Sequence, residues 1–228
     1  MTSAGYADLS GDDEFGDLNP WALPDVAAAQ RAAVELELDR WRGGCPVAPF
    51  DAFRDLLKLC GDVKYVLDVG CGVGHYRFLV KEHCPSAQYF GLDNSPAMLD
   101  QAFRWHDQDP TGARWVLGSA CEMGMVRGEF DLVIDGSALL HERHWEDAIA
   151  EYKRISVRWI MLHRTAYTLD GSFKRYRKEA YGQPCYEQHF AASEILRIMS
   201  PWALVSEVVL PCEHWYQMSS TIWKSPKS

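Results

Sequence analysis

Four residues at alternate positions, Asp68-x-Gly70-x-Gly72-x-Gly74, have the types and spacing to seat a charged ligand. They lie in VLDVGCGVGHY, Val66 to Tyr76, where Val66, Leu67 and Val69 supply a short buried β-run. The glycines let the backbone turn sharply and approach a ligand with no Cβ in the way. The dinucleotide fingerprint is G-x-G-x-x-G, whose helix N-terminus receives a pyrophosphate. Here an acid precedes the first glycine by two residues. A carboxylate there repels a pyrophosphate and suits a cation, such as a ligand carrying an ammonium and a sulfonium.

Two further landmarks follow. The strand Gln88 to Leu92 ends in Asp93-Asn94, roughly 20 residues past the glycines, where a strand-end acid meets ribose hydroxyls. Asp93 has a structural rival role as the cap of the next helix. FDLVIDGSALLH, Phe130 to His141, is an almost continuous apolar strand followed by a loop, the pattern of a parallel strand buried on both faces. Ligands of open α/β sheets sit outside the carboxyl ends of the strands, which puts Asp135, Gly136 and Ser137 beside a reacting group. His141 closes that loop. Its ordinary pKa lies near neutral, so it could accept a proton or orient a substrate. It could equally tie the loop through a backbone hydrogen bond.

In these residues and their order the chain resembles the class I S-adenosylmethionine-dependent methyltransferases, over about Tyr65 to Ile160. The resemblance implies an α/β three-layer Rossmann-like sandwich whose seven-stranded, mostly parallel sheet has the order 3-2-1-4-5-7-6. It implies S-adenosyl-L-methionine as cofactor, held by Asp68, Gly70, Cys71, Gly72, Asp93 and Asn94, with Asp135 and Gly136 flanking the transferable methyl group. Where the family often shows Gly-Asp-Ala, with the Asp accepting from the adenine amino group, this chain has Gly118-Ser119-Ala120-Cys121-Glu122. The adenine contact then falls to the Ser119 hydroxyl, to backbone groups of Ala120 and Cys121, or to Glu122.

The remaining elements must position this site. Residues 1 to 20 carry five acids and no base, the composition of a solvated tail, yet Tyr6, Phe15 and Trp21 are costly to expose and could fold over a ligand. Pro24 and Gly43-Gly44 bracket a helix over Val26 to Trp41. A second follows Pro49 and stops at Gly61. Further helices are expected from Gly74 to His83, Pro96 to Trp105, Trp145 to Arg154 and Ala192 to Met199. Strands are expected at Ala113 to Leu117, Arg158 to His163, Ala203 to Leu210 and Gln217 to Trp223. The fifth strand ends in His163-Arg164, at the cleft edge where the resembled family makes substrate contacts. An insertion, Thr165 to Phe190, follows, and connections this long tend to be lids or binding loops. Phe173 to Lys178 mixes bases with aromatics and reads as a charged helix face or as an anion-recognition patch. Tyr181 and His189 lie beyond it, either able to face a substrate.

Composition sets outer bounds. The chain has 228 residues, enough for one domain: an acidic tail or lid at 1–20, a helical cap at 21–61, and a core at 62–228 with its insertion at 165–190. A net charge of -9 gives no general attraction to nucleic acid or an anionic membrane. Seven cysteines without a C-x-x-C pair suit a reduced cytoplasm. No apolar run approaches the ~20 residues of a membrane span. Cys185, His189, Cys212 and His214 lack the spacing of a standard zinc site, so no metal is expected.

The chemistry implied is methyl transfer to an N or O atom of a small polar molecule, anionic or neutral. His141, His163 and Tyr181 are the candidate catalytic residues, with Arg164 and His189 as substrate contacts. A histidine-arginine strand end before a long insertion resembles methyltransferases of surface-polysaccharide or natural-product pathways. The rival readings are a non-catalytic cofactor-binding subunit acting through a partner protein, and an NAD-dependent oxidoreductase.

Overall fold

The computed structural model describes residues 6–9, 19–107, 112–124, 129–212 and 216–228. A short strand, β1 (Tyr6–Asp8), comes first, then a 3₁₀ turn at Pro20–Ala22. Two helices follow, α1 (Pro24–Arg42) and α2 (Ala48–Leu59). Pro24 opens α1 at a position with no hydrogen bond to lose, and Gly43 caps it. The α2 helix buries Phe50, Phe53, Leu56 and Leu57 on one side.

The core then alternates: β2 (Tyr65–Val69), α3 (Tyr76–His83), β3 (Gln88–Asp93), α4 (Pro96–His106), β4 (Arg114–Leu117) and β5 (Phe130–Gly136). A 3₁₀ turn at Ala138–His141 leads into α5 (Trp145–Ile155) and the long strand β6 (Ser156–Thr168). The hairpin β7 (Lys174–Ala180) and β8 (Gln183–His189) precedes α6 (Ala192–Met199), β9 (Ala203–Leu210) and β10 (Tyr216–Lys224). The large sheet runs β4-β3-β2-β5-β6-β10-β9. Counted from β2 within that sheet, this is the expected order 3-2-1-4-5-7-6, parallel except where β10 meets its two neighbours.

Two apolar layers make the sandwich. On one face Val66, Leu132, Ile134 and Met161 pack against Phe53 and Leu56 of α2 and Leu79 of α3. On the other Leu67, Val133 and Ile160 meet Ile149 and Tyr152 of α5 and Ile195 of α6. Alternate side chains of a strand point to opposite faces, so a fully apolar run such as β5 feeds both layers.

The insertion is where expectation and structure part. Lys174 to Lys178 belongs to a strand, not a helix, and β7 pairs with β8 on one side and with β1 on the other in a separate sheet. The local reason is the turn. Tyr181 and Gly182, the only residues between paired Ala180 and Gln183, both have positive φ, 53° and 74°. A two-residue loop of that kind matches the twist of an antiparallel pair and fixes its register. Residues 1–5 and 10–18 of the acidic segment, with Phe15 among them, lie outside the described residues, as do His214 and Trp215.

Candidate functional site

A cleft of about 670 Å³ opens over the carboxyl ends of β2, β3, β4 and β5, within the size range of small-ligand sites. Its wall on the sheet side includes Gly70, Gly72, Asp93, Asn94, Ala120 and Gly136. Across from them stand Trp21, His141, Arg164, Tyr181, Tyr186 and Glu187.

The glycine turn is built by close packing. Gly70 and Gly72 have φ of +64° and +53°. A Cβ on Gly70 would lie 2.2 Å from the Ala138 Cβ, and one on Gly72 would lie 2.6 Å from the Gln30 side-chain oxygen. A Cβ on Gly74 would instead lie 2.4 Å from the Trp115 ring, so this glycine serves packing and does not line the cleft. Cys71 is buried, its Sγ turned to the Gly72 carbonyl, and its backbone N–H donates to Leu92.

Asp93 lines the cleft and also braces its wall. Its carboxylate accepts from the Gly72 N–H and from the Ser95 N–H, each at 2.8 Å, tying the glycine turn to the start of α4. Ser95, not Asp93, caps α4 by accepting from the Met98 N–H. Burial raises the Asp93 pKa against the pull of these N–H donors. Asn94 sits beside it at the rim, accepting from Asn19.

Two acids expected to touch the cofactor lie elsewhere. Asp68 is fully buried beneath the turn and accepts from the Tyr89 hydroxyl, with its other oxygen unpartnered. Burial pushes its pKa up to about 8, and nearby Asp135 and Asp93 add to the rise. Asp135 is spent on the Leu139 N–H and the Tyr152 hydroxyl, and burial raises its pKa to about 6. Neither lines the cleft. Both lie within strands, where a side chain points at a layer and not past the strand end. In the next loop Gly118 and Ala120 line the cleft, while Ser119 and Cys121 do not. The Ser119 oxygen accepts from the Cys121 N–H, and the Cys121 thiol faces the His144 carbonyl.

The paired His163 and Arg164 are separated by a β-bulge. Thr165 pairs with Ser219 and Leu162 with Thr221, so two residues of β6 oppose Ser220 alone. Such a bulge re-aims side chains. His163 turns into the core, fully buried between the Phe53 and Tyr76 rings, with its Nδ1 2.8 Å from the Ser220 hydroxyl. Burial drives its pKa well below the ordinary value, and it does not line the cleft, which removes it from the catalytic candidates. Arg164 turns into the cleft with a left-handed φ of 60°. Its Nε is buried without a hydrogen-bond partner. Beside it His75, 8% exposed, lines the same wall with its Nδ1 unpartnered, and burial lowers its pKa to about 3.

His141 lies in the cleft wall, its ring 4.9 Å from that of Trp21. Its Nδ1 is 2.6 Å from the Tyr186 carbonyl. A carbonyl can only accept, so Nδ1 carries the hydrogen and Nε2 is the bare nitrogen. Burial lowers the pKa, while the Glu187 charge and the Tyr186 carbonyl oppose the drop. The loop-tying and proton-accepting readings are therefore compatible in one ring.

His189, expected at the substrate, is fully buried behind the cleft and sits 2.9 Å from Glu187. Glu187 itself lines the cleft and also accepts from Lys178 and from the Tyr6 hydroxyl, both at 2.9 Å. Burial would raise its pKa, but His189 and Lys178 outweigh it and hold the carboxylate well below its ordinary value. Sequence reasoning missed Glu187, Gln30 and Gln188. The β7–β8 turn chemistry was the available signal for the first and last. Among the described residues no group of three metal-ligating side chains is gathered.

Residues 66–157 match the family model described as a methyltransferase domain. A trans-aconitate 2-methyltransferase of Streptomyces avermitilis is 33% identical over 92 residues, 38% of this chain and 34% of that protein. Another, from Enterobacter sp., is 51% identical over 41 residues, 18% and 16% of the two chains. The chain thus spans about a third or less of the length of these curated relatives. The 1,6-didemethyltoxoflavin-N1-methyltransferase of Burkholderia thailandensis has a TM-score of 0.61 at 18% identity, covering 98% of this chain and 97% of that one. An S-adenosylmethionine-dependent methyltransferase of Clostridium acetobutylicum has a TM-score of 0.63 at 11% identity, covering 85% and 98%. Glycine turn, strand-end acid and sheet order agree with the match: residues 66–157 form a methyltransferase domain, and the chain has the class I, Rossmann-like fold of S-adenosylmethionine-dependent methyltransferases.

Proposed function

We propose that this chain transfers a methyl group from S-adenosylmethionine to an N or O atom of a small, polar, anionic molecule. The observation that carries the acceptor class is Arg164: a cleft-lining guanidinium with a buried, unpartnered Nε, kept on a strained backbone. Non-glycine residues held in left-handed conformations cluster at functional sites, where the surrounding fold maintains the strain. A carboxylate or phosphate on the acceptor would complete the guanidinium.

The residues present fit the cofactor. Gly70 and Gly72 let the backbone come close, Asp93 keeps lone pairs for ribose hydroxyls, and Gly118 and Ala120 open the adenine side. The unpartnered Asp68 oxygen, with Asp93 and Asp135 near it, can take up negative charge under the turn when a cation binds above it, by giving up its proton. When bound, S-adenosylmethionine supplies an electrophilic methyl carbon on a sulfonium, open to in-line displacement. Trp21 and Tyr181 wall the cleft, their rings meeting edge to face at 6.2 Å. His141, with Nε2 bare, can take the proton that a hydroxyl acceptor must lose; a neutral amine acceptor asks less of it. Gly136 opens the strand end where the reacting groups meet, and much of the acceleration comes from holding them in line.

The seven cysteines are all unpaired, which suits a reducing compartment such as the cytoplasm. Calorimetric titration with S-adenosylhomocysteine tests the cofactor half, and absence of binding would sink the proposal. A mass-spectrometric methylation screen tests the acceptor half. Carboxylate or phosphate acceptors should exceed uncharged analogues by about 10-fold in kcat/KM, the worth of one charge-assisted bond, and equal rates would remove the anionic class.

A further inference from the structure

The β7–β8 hairpin walls the cleft, and it also reaches behind the turn that carries His141. Gln188 is fully buried and does not line the cleft. Its side-chain nitrogen donates to the Leu139 carbonyl at 2.9 Å and to the Glu142 carbonyl at 2.6 Å. Its oxygen accepts from the Tyr186 hydroxyl at 2.6 Å. Both donors of the amide and its acceptor are thereby used. Leu139 and Glu142 lie on either side of His141, in the 3₁₀ turn Ala138–His141 and at its cap. The carbonyl of Tyr186, two residues before Gln188 on the same strand, receives the His141 Nδ1–H.

The turn needs such support from outside. It is entered through Ser137 at φ 85°, a left-handed conformation for a residue with a Cβ, and the Ser137 hydroxyl has no hydrogen-bond partner. A short 3₁₀ turn has little hold on its own geometry. Asp135 fixes its start through the Leu139 N–H. Nothing in the turn itself fixes the ring at its end.

We infer that Gln188 is the positioning residue for His141: by clamping the carbonyls on both sides of it, Gln188 holds the imidazole against the Tyr186 carbonyl and keeps Nε2 as its bare nitrogen. The inference rests on the reading of His141 as base. The charged groups around the ring, Glu187 and Lys178 from the hairpin and Arg164 from β6, alter its basicity but do not choose its tautomer. The hydrogen bond to a fixed carbonyl does.

The test is ¹⁵N NMR of histidine-labelled full-length protein, with His141→Gln identifying the ring signals by subtraction from the eight histidines. The wild type should show His141 as a single Nδ1–H tautomer. Gln188→Leu removes both donors at little change in volume. It should give mixed tautomers, with kcat reduced roughly 10- to 100-fold and S-adenosylhomocysteine affinity within about twofold. Tyr186→Phe removes only the hydroxyl that orients the amide, from a partly exposed side chain, and should shift the tautomer in the same direction by less. It stands as the test should Gln188→Leu fail to fold. A wild-type tautomer in both variants, or in Tyr186→Phe alone where Gln188→Leu does not fold, would overturn the inference. Mixed tautomers with unchanged turnover would uphold the clamp and remove His141 as the base instead.

Discussion

Replacing Arg164 separates charge from backbone strain, because alanine and glycine both delete the guanidinium but only glycine accepts its φ of 60°. A left-handed conformation costs a residue with a Cβ about 1–2 kcal/mol. Glycine returns about 0.5–1 kcal/mol of that through the extra entropy of its unfolded chain. Arg164→Gly should therefore be more stable than Arg164→Ala by about 0.5–1 kcal/mol. For a chain of this size that is a Tm difference of roughly 1–4 °C. Both variants also lose a buried, unpartnered Nε, which offsets part of the packing lost with the side chain. On the functional side the two should behave alike: acceptor KM raised about 10- to 100-fold, the worth of one charge-assisted bond, and S-adenosylhomocysteine affinity unchanged. Scanning calorimetry and methyl-transfer kinetics on the pair decide the matter. If alanine is at least as stable as glycine, the bulge does not store strain. If KM stays at the wild-type value in both, or cofactor affinity falls instead, Arg164 does not hold the acceptor.

Other perturbations address single residues. His163→Phe should leave turnover intact, since the imidazole is fully buried in the core. The same variant tests pH linkage: a folded-state pKa far below 6.5 gives stability that is present above that pH and lost as pH falls. The wild type should therefore lose about 1.4 kcal/mol per pH unit relative to the variant below pH 6.5, and parallel urea-unfolding profiles would contradict this. With its pKa pushed up to about 8, Asp68 is mostly protonated at pH 7 without ligand. Calorimetry of S-adenosylhomocysteine in buffers of different ionisation enthalpy should find up to about one proton released per ligand, and none in Asp68→Asn; equal proton counts in the two would refute the assignment. Gly136→Ala places a Cβ 2.3 Å from the Tyr76 ring, so thermal unfolding should show a loss of about 1–3 kcal/mol, and an unchanged Tm would mean the ring moves freely.

The wall of the cleft built by the glycine turn and Asp93 was legible because its signals are local. Glycines at fixed offsets after an apolar strand, and Asp93 at the end of the next, place themselves once the strands are found. Asp68 and Asp135 were misplaced because a strand residue's direction depends on the parity of the pleat and on what lies above each face. His163 and Arg164 show the limit most clearly. They are adjacent in sequence, and their opposite fates turn on a bulge against Ser220, a strand partner 57 positions away from His163. The Lys174–Ala180 segment fits helix and strand alike; the two positive φ angles at Tyr181-Gly182 resolve it, and only the glycine announces itself in the sequence.

The separate sheet of β1, β7 and β8 has a practical consequence. The cleft-lining residues Lys178, Tyr181, Tyr186 and Glu187 ride on one hairpin that shares no strand with the sheet carrying the glycine turn. Exchanging that hairpin for another of equal length could retune which molecule is methylated while the donor half stays as it is, provided the graft retains a partner for the His141 ring.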